Sequence, residues 1–203
     1  MQKLFIGRLG EGAISGDLAT SMFRLRHQVI CEKLGWQPTR DNGLETDEYD
    51  DEHSIYFILK NLCSQKVEAS WRMRPTNRPY MLQRNFRQLL ADGKPPCDSH
   101  TWEVSRFVAA ESASSDQRFA LGEASRTLLS TAILSASDYN VHRFVWVTTV
   151  SLERLGIRLG YKPRRLGPPV RIGNVLCVAE QIDVDRGSLE VAQREIWPMQ
   201  VAA

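Results

Sequence analysis

The run Thr101-Trp102-Glu103-Val104-Ser105-Arg106-Phe107-Val108 carries a carboxylate and a guanidinium three residues apart within an otherwise apolar stretch. An ionised side chain taken out of water without a partner costs several kcal/mol, roughly, so a chain that buries this strand must supply partners for both signs. Candidates lie upstream at Arg26, Asp47, Asp50 and Arg72. The fold must therefore bring separated segments together around one strand.

Periodicity supplies those segments. Leu18, Met22, Leu25 and Val29 recur at helical spacing behind Asp17, predicting an Asp-capped amphipathic helix over 17–34 that stops at Gly35. Residues 36–52 are polar and acidic and predict a loop with a turn at Asn42-Gly43. Two strands, 54–60 and 67–74, pair around a turn at 61–65, and a short helix near 81–90 leads to the loop 91–96. After the strand 101–108 come a helix over 116–137, a strand over 143–149, a helix over 151–159 ended by Gly160, a strand over 174–181 and a closing helix over 188–196. This order predicts an α/β architecture with a mixed sheet flanked by helices, in a single domain spanning 1–203.

Composition excludes several classes. With 42% hydrophobic and 25% charged residues, disorder is not the default for any segment. A net charge of +2 gives no global support for nucleic-acid binding. Four scattered cysteines and four isolated histidines show no ligand spacing, so no metal is expected. The first ten residues lack the apolar core of a signal peptide, and no run approaches 18 apolar residues, so a reduced cytoplasmic protein without membrane insertion is expected.

Three patterns follow in order: Arg26, Ile30 and Leu34-Gly35-Trp36; then Glu45-Thr46-Asp47-Glu48-Tyr49-Asp50; then Arg72-Met73-Arg74-Pro75-Thr76 with Tyr80-Met81-Leu82 and Trp102-Glu103-Val104-Ser105-Arg106-Phe107. As an ordered set they resemble the acyl-homoserine lactone synthases, the LuxI-type autoinducer synthases, over roughly the first half of the chain and, less closely, through residues 145–167. The resemblance implies an N-acetyltransferase-like fold with an acyl-binding cleft between splayed central strands. It also implies a reaction of S-adenosylmethionine with an acyl thioester, the donor being acyl carrier protein or acyl-coenzyme A. Adenosylmethionine is then a substrate and no cofactor is required. By position, Arg26, Asp47, Asp50, Arg72, Glu103 and Arg106 keep the family's residue type, and Trp36 matches the family tryptophan; Ile30 stands where phenylalanine is usual and cannot stack on a ring. The segment 17–52 is expected to form part of the adenosylmethionine site.

Residue chemistry stands beside that resemblance. A substrate amine must shed a proton, and Glu103 in a half-buried strand is the candidate base. Glu103 and Arg106 differ by an odd number and face opposite sides of a regular strand, so a β-bulge is expected between 103 and 107. In 143–149, Trp146 and Thr148 share a face and are candidates for the acyl pocket, and the resemblance implies a threonine here for 3-oxo groups, Thr148 first and Thr149 second. Arg154, Arg158, Lys162, Arg164 and Arg165 fall in a segment without acids, either a solvated face or a docking patch for an acidic carrier. Three readings compete with the synthase. The six charges could be a purely structural ion-pair network. The chain could be a coenzyme A-dependent N-acetyltransferase acting on another amine, although Arg118–Ala124 misses the usual pyrophosphate-loop spacing by one residue. Or it could be a non-catalytic nucleic-acid- or partner-binding module using Arg154 to Arg171, which leaves Glu103 and Arg106 unexplained.

Overall fold

The computed structural model describes residues 1–33, 40–110 and 122–196, and these divide into two compact units. The first comprises Met1–Met73 and Arg106–Leu128, and the second Arg74–Ser105 and the chain from Leu129 to residue 196.

In the first unit, strand β1 (Gln2–Gly7) pairs antiparallel with β4 (Ile55–Asn61), which pairs antiparallel with β5 (Val67–Pro75). Strands 54–60 and 67–74 are thus found where their alternation placed them. Strand β1 has no sequence counterpart above, because Gln-Lys-Leu-Phe-Ile-Gly is too short a run to show a period. Helix α1 (Gly16–Arg26) is capped by Ser15, whose hydroxyl accepts from the Leu18 N–H, while Asp17 sits in the first turn. The cap therefore lies two residues before the expected Asp17, and the acid instead faces the positive end of the helix dipole.

The single helix expected over 17–34 is also two segments, since α1 gives way to a π-helical stretch at His27–Lys33. In an α-helix, Arg26 and Ile30 would share a face. The wider turn allows Arg26 to meet acids while Ile30, 5% exposed, packs with Ile14, Leu18, Met22, Tyr56, Ile58 and Val108. Beyond 39, β2 (Arg40–Asp41) and β3 (Leu44–Glu45) form a hairpin in which Asn42 and Gly43 both take positive φ, 50° and 76°. That is the type I′ geometry Asn-Gly favours, so the expected turn is present and ends a small hairpin that the polar composition hid.

In the second unit, β6 (Thr101–Ala109) begins as a parallel neighbour of β7 (Arg143–Thr149), in register from Thr101 opposite Arg143 to Val104 opposite Trp146. β7 pairs antiparallel with β10 (Val175–Asp183), which also carries the short strands β8 (Arg164–Arg165) and β9 (Val170–Ile172). Helix α4 (Val150–Leu159) closes at Gly160, φ 103°, as the periodicity predicts, and α5 (Arg186–Ile196) lies within two residues of its expected start. Helix α3 (Glu123–Leu134) forms the described part of the predicted 116–137 helix; residues 116–121 lie outside the described residues. One apolar cluster joins Tyr80, Leu82, Leu89, Val145, Cys177 and Ala179.

Strands β5 and β6 run through both units. Their pairing appears in the first as the Ala110 N–H donating to the Glu68 carbonyl, and in the second as Thr76 N–H donating to the Thr101 carbonyl. The result is a mixed sheet in an α/β chain. Within the stretch 103–107, where a bulge is expected, Arg106 takes a left-handed φ of 54°. A single left-handed residue breaks the alternation of a strand and re-aims the side chains that follow.

Gly167 shows where this fold has no room. A Cβ there would lie against the Leu89 carbonyl and 2.7 Å from the Ala91 nitrogen, both backbone atoms that cannot rotate away. Gly167→Ala should therefore lower stability by about 1–3 kcal/mol in chemical denaturation. Gly156→Ala, within α4 and with open space around its Cβ, should instead be neutral or stabilising by about 0.5–1 kcal/mol.

Candidate active site

Arg26 ends α1, Glu45 ends the hairpin, Asp47 and Asp50 follow it, Arg72 lies on β5 and Arg106 on β6; all six side chains meet in the first unit. Arg26 donates through Nη1 and Nη2 to the two Asp50 oxygens at 2.8 and 3.0 Å, and through Nε to Glu45. Arg72 donates to Asp50 Oδ1 at 2.7 Å and to both Asp47 oxygens. Arg106 Nη2 bridges Glu45 Oε1 at 2.9 Å and Asp47 Oδ2 at 2.8 Å. Three cations face three anions, so the cluster is neutral and each charge touches at least two of the opposite sign. Isolated, each of these charges would be costly at this depth.

Local chemistry holds the cluster in place. Asp50 also accepts the Asp47 N–H and the Tyr56 hydroxyl, both at 2.8 Å. Burial would raise the Asp50 carboxyl, but Arg26 and Arg72 outweigh it and hold the group well below the usual carboxylate range. Burial likewise opposes the charges of Arg26 and Arg72, and their carboxylate partners still raise both above the ordinary guanidinium value. Arg106 differs. Burial lowers it, Asp47 and Glu45 only partly compensate, and Arg26 and Arg72 repel it. Aromatic faces complete the surroundings, with Phe23 beside Arg26 at 5.2 Å and Tyr49 beside Arg72 at 5.5 Å.

Five of the expected site residues, Arg26, Asp47, Asp50, Arg72 and Arg106, are thus brought together, and Ile30 lies in the apolar core of the same unit. Trp36 lies outside the described residues. Sequence reasoning missed Glu45 and Tyr56. Glu45, fully buried, stands in the acidic run already singled out, and the Asn42-Gly43 turn just before it was the available signal. Tyr56 looked like an ordinary strand aromatic and carried no signal.

Glu103 belongs to the second unit and is 1% exposed. Its Oε2 and Oε1 accept the N–H groups of Met81 and Leu82, at 3.0 and 2.7 Å, at the start of α2 (Met81–Asn85). Tyr80, the residue before that helix, makes no side-chain cap, so Glu103 supplies the acceptors from a neighbouring strand. Trp146 and Thr148 are half-buried on β7, and Trp146 Nε1 donates to Glu180 at 3.0 Å. Thr149 caps α4 by accepting the Leu152 N–H, which leaves Thr148 the freer hydroxyl of the two. Arg154, Arg158, Lys162, Arg164 and Arg165 are all exposed. Arg165 grips Glu153 through two 2.6 Å bonds and Arg164 reaches Asp183 at 2.9 Å, so these two carry less uncompensated charge than the segment's composition suggested. Among the described residues no group of three His, Cys, Asp or Glu side chains could hold a metal ion, and no helix is long and apolar enough to cross a membrane.

Mixed sheet, flanking helices and a buried cluster of both charge signs define an α/β protein of the N-acetyltransferase-like class. Residues 14–192 match the autoinducer synthase family, and the chain belongs to it. It is 35% identical over 181 residues to an acyl-homoserine-lactone synthase of Ralstonia solanacearum, covering 88% of this chain and 86% of that one. Among solved structures it is similar to the AHL synthase LasI, with a TM-score of 0.84 and 28% identity over 98% of each chain. It is also similar to TofI in a ternary complex with an inhibitor and MTA, with a TM-score of 0.80 and 31% identity over 94% of this chain and 96% of that one.

The depressed Asp50 fixes an acid response. A carboxyl whose folded pKa lies below its unfolded value of 3.8 contributes stability above that pH and loses it as pH falls toward the folded value. Asp50→Asn should cost about 3–5 kcal/mol at neutral pH, because two buried arginines lose their shared partner. Denaturation of both proteins between pH 5 and pH 2 should show the gap narrowing with acid; a constant gap would contradict the assignment.

Proposed function

We propose that the chain is an acyl-homoserine lactone synthase that transfers an acyl group from a thioester to the amine of S-adenosylmethionine and then closes the lactone, making a quorum-sensing signal. The amine nitrogen bonds to the acyl carbonyl carbon as the thioester C–S bond breaks. The homoserine carboxylate then displaces the sulfonium from its neighbouring carbon, and methylthioadenosine leaves. One observation carries this reading beyond family membership: the buried, neutral cluster of three arginines and three carboxylates. Adenosylmethionine carries a carboxylate, an ammonium and a sulfonium, and a site offering both signs at fixed positions suits such a substrate without requiring net charge. TofI, a relative of similar fold, has been solved with MTA, the leaving group of this reaction. Membership in the autoinducer synthase family does not favour an N-acetyltransferase of another amine.

Roles follow from environment. Arg106, whose charge burial disfavours even beside Glu45 and Asp47, is the arginine assigned to the substrate carboxylate. Arg26, Asp50 and Arg72 are saturated by one another and by Tyr56, and their part is to hold the frame, with Asp47 shared between Arg72 and Arg106. Trp36 and the segment 17–52 complete the adenosylmethionine side, and Ile30 shapes it from the core behind. Glu103 takes the proton of the attacking amine, directly or through water, from the place that its two amide contacts fix. Adenosylmethionine is a substrate here, and the reaction needs no further cofactor; the cytoplasm supplies both substrates.

The acyl chain is read by Trp146 and Thr148. The donor, acyl carrier protein or acyl-coenzyme A, docks on the basic surface of Arg154, Arg158, Lys162, Arg164 and Arg165. Leu152 and Ile157, 41% and 51% exposed, put apolar contacts among these charges on α4, which suits a carrier protein.

Incubation with adenosylmethionine and a panel of acyl donors, followed by mass spectrometry, should detect an acyl-homoserine lactone with at least one donor; consumption of thioester without lactone would defeat the reading. Glu103→Gln should lower kcat by about 10²–10⁴-fold. Arg154→Glu should raise the KM for the donor and flatten its dependence on salt, leaving the KM for adenosylmethionine unchanged.

A further inference from the structure

Across the second unit, one row of the sheet carries three side chains whose chemistry the reaction above does not use in full. Glu180 on β10 stands directly opposite Trp146 on β7 and opposite Arg165 on β8. Its carboxyl group is 1% exposed, and Oε2 accepts the Trp146 indole N–H at 3.0 Å. Its other oxygen, Oε1, is buried with no donor facing it. The group that does face it is a second carboxylate, Glu153 on α4, itself buried and gripped from the far side by the two Arg165 bonds.

Two carboxyl groups so placed cannot both ionise. Arg165 first of all lowers Glu153 and keeps it charged, whereas burial, followed by the hydrogen bond and charge of Glu153, pushes Glu180 up to about 8. At neutral pH Glu180 therefore retains its proton and donates it to Glu153. With that donation Oε1 is satisfied, and Oε2 is fixed as the acceptor for the indole. The chain of contacts runs from the exposed Arg165 through Glu153 and Glu180 to the ring of Trp146, with hydrogen bonds at both ends and the two carboxyl groups coupled between them.

We propose that Glu180 is a positioning residue for acyl-donor selection: its carboxyl group holds the Trp146 indole in one orientation, and Glu153 with Arg165 holds the carboxyl. The inference rests on the placement of Trp146 in the acyl pocket. A half-buried indole has few restraints from packing alone, and a ring that can turn gives a pocket wall of indefinite depth. Locking the N–H end fixes which face and edge the acyl chain meets. Because Arg165 lies in the basic donor-docking surface, the same row ties that surface to the pocket wall.

The test measures kcat/KM for a short and a long acyl donor in wild type, Glu180→Ala, Glu180→Gln, Trp146→Ala and the double variant Glu180→Ala/Trp146→Ala. Glu180→Ala should change the short-to-long ratio by about tenfold with the KM for adenosylmethionine unchanged. Glu180→Gln keeps an acceptor for the indole and a donor for Glu153, and should retain the wild-type ratio. In the Trp146→Ala background, Glu180→Ala should add nothing, since the ring it positions is gone. An unchanged ratio in Glu180→Ala, or an equal shift with and without Trp146, overturns the proposal.

Should Glu180→Ala fail to fold, Glu180→Asp, which draws the acceptor back by one methylene, carries the same comparison. The indole N–H resonance of Trp146, assigned by its loss in Trp146→Phe, gives a readout independent of turnover: it should move in Glu180→Ala and stay in Glu180→Gln. If wild type makes no lactone from any donor, the synthase reading fails; if lactone forms and the resonance does not move, only the positioning role fails.

Discussion

Charge neutrality inside a buried cluster is the constraint on which the first unit depends. Arg26, Arg72 and Arg106 arrive from a helix and two strands, and Glu45, Asp47 and Asp50 from a hairpin and the turn after it. Removal of any one leaves an uncompensated charge away from water, which is far costlier than an ion pair on a surface. The cluster therefore acts as a set, and it ties the chain from 40 to 50, otherwise short of apolar residues, to the sheet behind it. The contacts that fix these side chains differ in their balance: Arg26 and Arg72 are raised by their carboxylates, whereas burial outweighs Glu45 and Asp47 at Arg106.

The second unit solves its burial problem differently. Glu103 accepts two backbone amides at the start of α2. Burial and the neighbouring Glu153 push the Glu180 carboxyl up, toward its protonated form. Three ways of burying a carboxyl thus occur in one chain, by pairing, by amide hydrogen bonds and by protonation, and each leaves the group with a different chemical capacity.

Much of this was legible in the sequence, and the physical reasons for what was not are particular. Strands 55–61, 67–75 and 143–149 showed as β-branched and aromatic runs bounded by turn residues, and helix 150–159 by its spacing and its closing Gly160. Arg26, Asp47, Asp50, Arg72 and Arg106 showed because charges amid apolar runs must find partners. The π-helical segment at His27–Lys33 did not show, since its residues carry the same helical spacing as the α-helix before it and only the surroundings of Arg26 and Ile30 betray the change. The capping task of Glu103 and the contact of Glu180 with Trp146 depend on which strands become neighbours, and no local pattern encodes a neighbour. Ser15 was overlooked because Asp17, two positions on, offered an equally good cap by type.

Arg106 illustrates what such an arrangement does to the freedom of a sequence to drift. Its left-handed backbone costs on the order of 1–3 kcal/mol for a residue with a Cβ. Glycine would relieve that cost but abolish the guanidinium, and lysine would preserve a charge but not the planar group whose Nη2 sits between Glu45 and Asp47. Selection for a sturdier chain and selection for an intact cluster pull this position in opposite directions, so a search for thermostable variants guided by backbone strain alone would choose the replacement most damaging to the site.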